Sequence, residues 1–414
     1  MAYRGLILFT ILLYLRPNEL LPIGTFPLVK ILTLGTLAAF FIERLSQGGS
    51  ISAMPKPFKL LLVLAACVVV SIPVGLDPSA SLASFTDLFL KILLIFLLMI
   101  NVVTSFHRLR VMIEVLVLSA AFVAVLSLSD YFQGKHLVEE VRATGALGGI
   151  FGNPNDLALA MNMLLPFAVA LVLSRPNPLS KLLFSLCAVL LTMISVATYS
   201  RAGFLSMAIA GGFFLVQLSR RYPAAWGVGA LAAGALLVSS PGRVFRIFSS
   251  VGGSDTAAGS ATARWELLKR SIEVAGANPI RWLFGVGMNN FHIVSTKELV
   301  NHNAYLEVFN EIGLPAMCVY VLFIVSVFKI TALLIKRTRK ERRYRQVWLV
   351  AVAIQSSLVA YTVGSFFASV AFYWYLYYPA AFAVCLQQIL AHAEQPRAQS
   401  EVTPRVWYLR RVQH

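Results

Sequence analysis

The chain has 414 residues, 58% of them hydrophobic and only 13% charged, with a net charge of +17. That balance excludes a soluble globular domain and defines an integral membrane protein. The positive charge is no nucleic-acid signature, because most basic residues lie in short gaps between apolar runs, the positive-inside pattern of membrane proteins.

Taken in chain order, the N-terminus carries Arg4 before an apolar core but no small-residue cleavage site, and Arg16, Pro17 and Asn18 follow. It is expected to be a retained first span, short for a crossing. Apolar runs at 5–16, 23–43, 59–76, 84–104, 109–131, 156–174, 180–198, 202–218, 223–240, 314–335, 346–368 and 371–391 give about twelve helices by the ~20-residue criterion. The fold class expected is therefore an all-α polytopic membrane protein with one large helical loop on the outward side. Residues 1–240 would hold nine helices, 241–313 the loop subdomain, 314–391 three more helices and 392–414 a tail.

With the N-terminus inside, the linkers holding Arg44, Lys56 and Lys59, Arg108 and Arg110, Arg175 and Lys181, Arg220 and Arg221, and the run Lys336 to Arg345 all fall in the cytoplasm, as does the tail. Outward linkers such as Leu76 to Ala83 hold no Lys or Arg, so one orientation satisfies nearly every loop. Asp87 and Lys91, four apart on one helix face, are expected to pair. Cys67, Cys187, Cys318 and Cys385 all fall in apolar runs and are expected to pack as small apolar side chains.

Three outward segments are polar. The first, 133–155, contains Arg142 and the glycine-rich GALGGIFGNPND, where Asn155 or Asp156 can cap the next span. The second is the tight turn 198–203, which leaves Arg201 at the outer surface. The third runs from Pro241 to about Leu314; in it, residues 249–263 have almost no large apolar side chains and are expected to be mobile. A helix is expected next, with Thr262 as cap, Trp265, Leu268 and Ile272 at helical spacing and a stop at Gly276 and Pro279. Arg264 then falls in the first turn, where a cation makes sense if an anion such as a phosphate binds there. A second helix should start near Asn301 or Asn303, with Leu306, Phe309 and Ile312 on one face and a break at Gly313 and Pro315. His302 stands at its N-terminus, whose positive end disfavours imidazolium and favours the neutral state that accepts a proton.

Singly, Arg201 reads as a headgroup anchor, Arg264 as a solvated loop charge and His302 as a structural histidine. Together on the outer face, two cations and a neutral base are what transfer from a diphosphate-activated donor requires. No metal motif such as HExxH occurs, and His136, His292 and His302 are poorly spaced for zinc. The segment Gly285 to Phe291 has glycines without the third glycine or the strand context of a nucleotide loop.

The ordered set Ser-Arg-Ala-Gly at 200–203, Arg-Trp-Glu at 264–266, Phe-Gly-Val-Gly at 284–287, His-Asn-Ala-Tyr-Leu at 302–306 and Glu-Ile-Gly-Leu at 311–314 resembles the O-antigen ligase and polymerase superfamily over about residues 150–330. The resemblance implies a membrane fold of the GT-C type in the bacterial inner membrane, with both termini cytoplasmic and the large helical loop and the active site periplasmic. It implies an inverting transfer, without metal or cofactor, of a glycan from undecaprenyl diphosphate to an acceptor hydroxyl. In that family's pattern Arg201 and Arg264 bind the donor diphosphate and His302 activates the acceptor. Asn303, Arg142 and Tyr199, beside these residues or in the same outward segments, are expected to support them. The acceptor implied is lipid A core for a ligase, or a growing glycan for a polymerase. The partners otherwise expected are membrane lipids and no nucleic acid. A transporter or flippase of lipid-linked glycans is the reading from another class. It is disfavoured because the polar residues gather in an outward loop rather than at the membrane midplane.

Overall fold

A chain this apolar has to satisfy its backbone polar groups within its own helices, and it does. The computed structural model describes residues 1–16, 28–46, 53–227, 229, 255–276, 278–295 and 301–394, with the backbone alone for 28, 30, 255–264 and 275. In chain order the first helices are α1 (Ala2–Leu15) and α2 (Leu28–Ser46). Then come α3 (Lys56–Val74), α4 (Pro78–Val102), α5 (Phe106–Phe132), α6 (Pro154–Ser174), α7 (Pro178–Ala197) and α8 (Arg201–Ser219). The loop region contributes α9 (Asp255–Gly276), α10 (Pro279–Phe284), α11 (Phe291–Val294) and α12 (Ala304–Ile312). It leads into α13 (Leu314–Thr338), α14 (Arg342–Phe367) and α15 (Trp374–Glu394).

Among the described residues eight helices are long and apolar enough to cross a membrane: α3 to α8, α13 and α14. At 14 residues α1 is shorter than a span, while α2 and α15 lie at two further expected positions. Most of the run 223–240, the start of the loop segment to 254 and the tail from 395 lie outside the described residues. A two-residue antiparallel pair, Leu137–Val138 with Arg142–Ala143, is the one departure from helix and turn among the described residues.

Helices α14 and α15 form the centre. In α15 every residue from Trp374 to Leu386 is buried, as expected of a helix apolar all round. Helices α6, α8 and α13 pack on α14, and α4 and α13 on α15. Lipid offers apolar groups as good a home as protein does, so specificity comes from close packing and interhelical hydrogen bonds. Thr10 of α1 bonds the Tyr378 hydroxyl at 2.9 Å, and Phe9 packs edge-on against Trp374. Asn162 of α6 donates to the Gly203 carbonyl at 2.7 Å and accepts from Ser195 at 2.8 Å, tying α6, α7 and α8 together.

The basic linkers gather at one end of this bundle. Arg44 reaches the Asn101 carbonyl, Arg175 pairs with Glu114, Arg345 bonds the Leu173 carbonyl and Arg221 the Arg339 carbonyl. The polar segments read as outward meet at the other end, where Arg16 bonds the Leu147 carbonyl at 3.1 Å and Arg142 the Thr198 carbonyl at 3.2 Å.

Several local expectations are corrected. Helix α9 begins at Asp255 rather than after Thr262, so residues 255–263 are helical. Four alanines among them outweigh the one glycine and one serine in helix propensity, and Arg264 stands in the third turn instead of the first. The buried face of α9 is Leu267, Ser271 and Val274, whereas Trp265 and Ile272 are 58% and 62% exposed. The α6 cap is Asn153, whose side chain accepts from the Asn155 N–H, with Pro154 supplying the first helical residue. In α12 the packed line is Ala304, Val308 and Ile312, with Leu306 and Phe309 half-buried. Cys187 and Cys385 are buried, but Cys67 is only partly so and Cys318 is exposed. Asp87 and Lys91 do pair, at 3.3 Å, where α4 widens into a π-helical turn over Phe85–Phe89.

Candidate active site

Helix α12 sets the position of His302. Asn303 caps it by accepting from the Tyr305 and Leu306 N–H groups at 3.0 and 3.1 Å. His302 precedes the cap with a left-handed backbone, φ 47°, and its own N–H donates to Ser369 at 2.8 Å. Asn303 is thus a structural residue that aims the chain at 302.

His302 lines a cavity of about 460 Å³ between α4, α6, α12 and the 367–373 connection. The rest of its polar wall is Ser84, Asp87, Asn153, Asn155, Asp156, Asn289, Glu307, Glu311, Ser369 and Tyr373. Glu307 accepts from the Ala371 N–H at 3.1 Å and Glu311 from the Asn289 N–H at 2.7 Å. Burial first, and then the Glu311 charge, raise the Glu307 pKa well above the ordinary carboxylate value. Burial pushes Glu311 up to about 7 against the two backbone N–H groups that oppose it. Protonated, such carboxyls can donate as well as accept.

The glycine segment 285–291 serves this wall. Val286 and Gly287 donate to the Asn310 and Glu311 carbonyls, and Leu76 donates to the Val286 carbonyl. At Gly287, φ is 97°, and a Cβ would stand 2.5 Å from Ser81 Oγ and 2.9 Å from Gly75 Cα. These glycines let the loop clamp α12 to the α3–α4 corner, which is a packing task rather than phosphate binding.

Arg201 opens α8 behind Ser200, whose hydroxyl caps the helix by accepting from Gly203 N–H at 3.0 Å. Tyr199 makes the preceding turn with φ 49°. Asn155 is the junction: its side-chain oxygen accepts from Ser200 Oγ at 2.7 Å and from Arg142 Nη2 at 3.1 Å, while Asn155 itself lines the His302 cavity. Arg142 sits in the short hairpin, with Glu139 at 3.9 Å. Burial, and then the neighbouring Arg201 charge, lower the Arg142 pKa against the pull of Glu139. A guanidinium does not shed its proton, so the single carboxylate of Glu139 stands against two cations and leaves an excess positive charge.

Arg142 and Ser200 are therefore one hydrogen bond from the cavity that His302 lines, with Tyr199 and Arg201 flanking Ser200 in the chain. Of Arg264 the backbone alone is described. Position 264 lies seven residues, two helical turns, before Ser271 and so on the same side of α9. Ser271 bonds the buried Asn301 at 3.2 Å, which fixes that side of α9 against the residue next to His302. Asn155, Asp156, Glu307 and Glu311 were not singled out as site residues. Glu307 and Glu311, four apart in an otherwise apolar stretch, are the signal that could have found two of them. Among the described residues no group of three or more His, Cys, Asp or Glu is arranged to hold a metal ion.

A helical membrane bundle with a polar cavity at one end, and clustered cations beside it, defines the class. Residues 186–321, about a third of the chain, match the family model described as O-Antigen ligase. The match makes this stretch part of the O-antigen ligase superfamily, and it contains Arg201, Arg264 and His302. No curated protein and no solved structure matches the chain.

Proposed function

We propose that the chain is a glycosyltransferase of the bacterial inner membrane that moves a glycan from undecaprenyl diphosphate to an acceptor hydroxyl on the periplasmic side, with lipid A core as acceptor. The observation that carries this reading is Asn155, which holds Arg142 and, through Ser200, the turn bearing Arg201 beside the cavity lined by His302. The donor diphosphate sits at Arg142 and Arg201, joined by Arg264. Their charge grows in value as the leaving group becomes a free diphosphate. The cavity's carboxyl and amide groups suit sugar hydroxyls and repel a second anion, so donor phosphate and acceptor occupy separate regions.

His302 takes the acceptor proton as oxygen bonds to the anomeric carbon, and the bond to the diphosphate breaks on the opposite face with inversion. Neither a metal nor a cofactor is needed, because three cations hold the leaving group and one base serves the nucleophile. Polymerisation of repeat units uses the same donor chemistry and differs in the acceptor. The deciding experiment expresses the gene in a strain lacking its ligase and in one lacking its polymerase. Glycan newly attached to lipid A core supports the ligase, a restored ladder length on the lipid carrier supports the polymerase, and no change in either strain counts against glycan transfer.

A further inference from the structure

At the end of the bundle opposite His302, two cavities run into one another. One is an apolar groove of about 520 Å³ between α6 and α8, walled by Leu165, Val169, Met207, Gly211, Phe214 and Leu218. The other is an open basin of about 1010 Å³ lined by Arg220, Arg221, Arg339, Lys340, Arg342 and Arg345. Tyr222 and Arg345 line both. Arg345 is held at the junction by the Leu173 carbonyl at 3.0 Å and lies 5.8 Å over the Tyr222 ring.

Two features go beyond the positive-inside pattern. Among the described residues none of the six basin cations is paired with a carboxylate; the nearby Glu341 pairs instead with Arg343, at 2.6 Å. The groove's lining on α6 also runs from Asn162, whose amide is satisfied by Gly203 and Ser206, to Leu173. From Asn162 to Leu173 along α6 is ~16 Å at 1.5 Å per residue, which is half of a hydrocarbon core ~30 Å thick, or one leaflet.

We propose that groove and basin together form a binding site for an anionic glycerophospholipid, with an acyl chain between α6 and α8 and the phosphate among the basin cations. Under the orientation proposed above this is a lipid of the cytoplasmic leaflet, distinct from the donor. Charge complementarity selects an anionic headgroup, and the one-leaflet depth selects an ordinary acyl chain over a polyprenyl tail.

The test is native mass spectrometry of the delipidated full chain in mild detergent, titrated with phosphatidylglycerol, phosphatidylethanolamine and undecaprenyl diphosphate. Its readout does not depend on transfer activity. Phosphatidylglycerol is expected to bind at least about tenfold more tightly than phosphatidylethanolamine. Replacing Arg339, Lys340 and Arg342 together with alanine should remove that preference, at about fivefold per charge. Gly211→Trp should abolish binding by filling the groove, since a Cβ at 211 meets no atom within 4 Å and the variant should fold. Equal affinity for the two phospholipids, undiminished binding by either variant, or binding of neither phospholipid overturns the proposal. Preference for undecaprenyl diphosphate over phosphatidylglycerol also overturns it and gives the groove to the donor tail.

Discussion

Replacing Asn155 with alanine removes the acceptor shared by Arg142 and Ser200 while leaving the α6 cap, which belongs to Asn153, intact. A hydrogen bond to a charged group contributes about 1.5–3 kcal/mol and a neutral one about 0.5–1.5 kcal/mol. Both contacts are only partly buried, so water recovers part of the loss, leaving about 1–2 kcal/mol of disorder at the arginine pair. If the pair binds the donor diphosphate, that converts to a rise in donor KM of about 5–30-fold. His302 and its N–H contact to Ser369 are untouched, so kcat should change little. Asn155→Asp keeps an oxygen for both donors and should stay near wild type. The assay is steady-state transfer by purified protein, with donor and acceptor varied separately. An unchanged donor KM in Asn155→Ala, or a loss confined to kcat, would refute the link between Asn155, the arginines and the diphosphate.

Arg201→Ala and Arg264→Ala should each slow transfer about a hundredfold, ~3 kcal/mol, with poor rescue by lysine where two parallel bonds are made; wild-type turnover in both would make them headgroup anchors. Glu311 has a folded pKa near 7, against an ordinary value of 4.5. Its contribution to stability is therefore whole below pH 4.5 and is lost as pH rises through about 7. Glu311→Gln should unfold at a higher temperature relative to wild type at pH 8 than at pH 5, and the opposite trend in paired thermal melts counts against the burial argument. Single cysteines beside Arg201 and His302 should react with an impermeant thiol reagent in cells with a permeabilised outer membrane, and one beside Arg343 should not; the reverse labelling pattern inverts the topology.

Much of the scaffold was legible because lipid imposes one requirement on every crossing segment, a long apolar helix with basic linkers on one side. The end-to-end grouping of Arg44, Arg175, Arg221 and Arg345 follows from that alternation. What stayed hidden depended on contacts distant in sequence. Asn155 reads locally as a helix cap, and only the return of residues 198–200 beside it reveals a junction for two arginines. Glu307 and Glu311 read as polar residues of a loop helix until residues 367–373 and Asn289 close over them. The start of α9 stayed hidden because residues 255–263 carry no large apolar side chain, and helix propensity rather than packing is the signal there. Helical spacing does not by itself choose the buried face: Trp265 and Ile272 are exposed and Leu268 is half-buried.

The most direct test of transfer at the His302 cavity uses purified full-length protein with a defined lipid-linked donor and acceptor. His302→Gln and His302→Ala should fold and bind donor yet transfer glycan ~10²–10⁴-fold more slowly, with wild-type rates unaffected by EDTA. Full activity in either variant would contradict the assignment of the base, and activity lost to EDTA and restored by a divalent ion would contradict the metal-free mechanism.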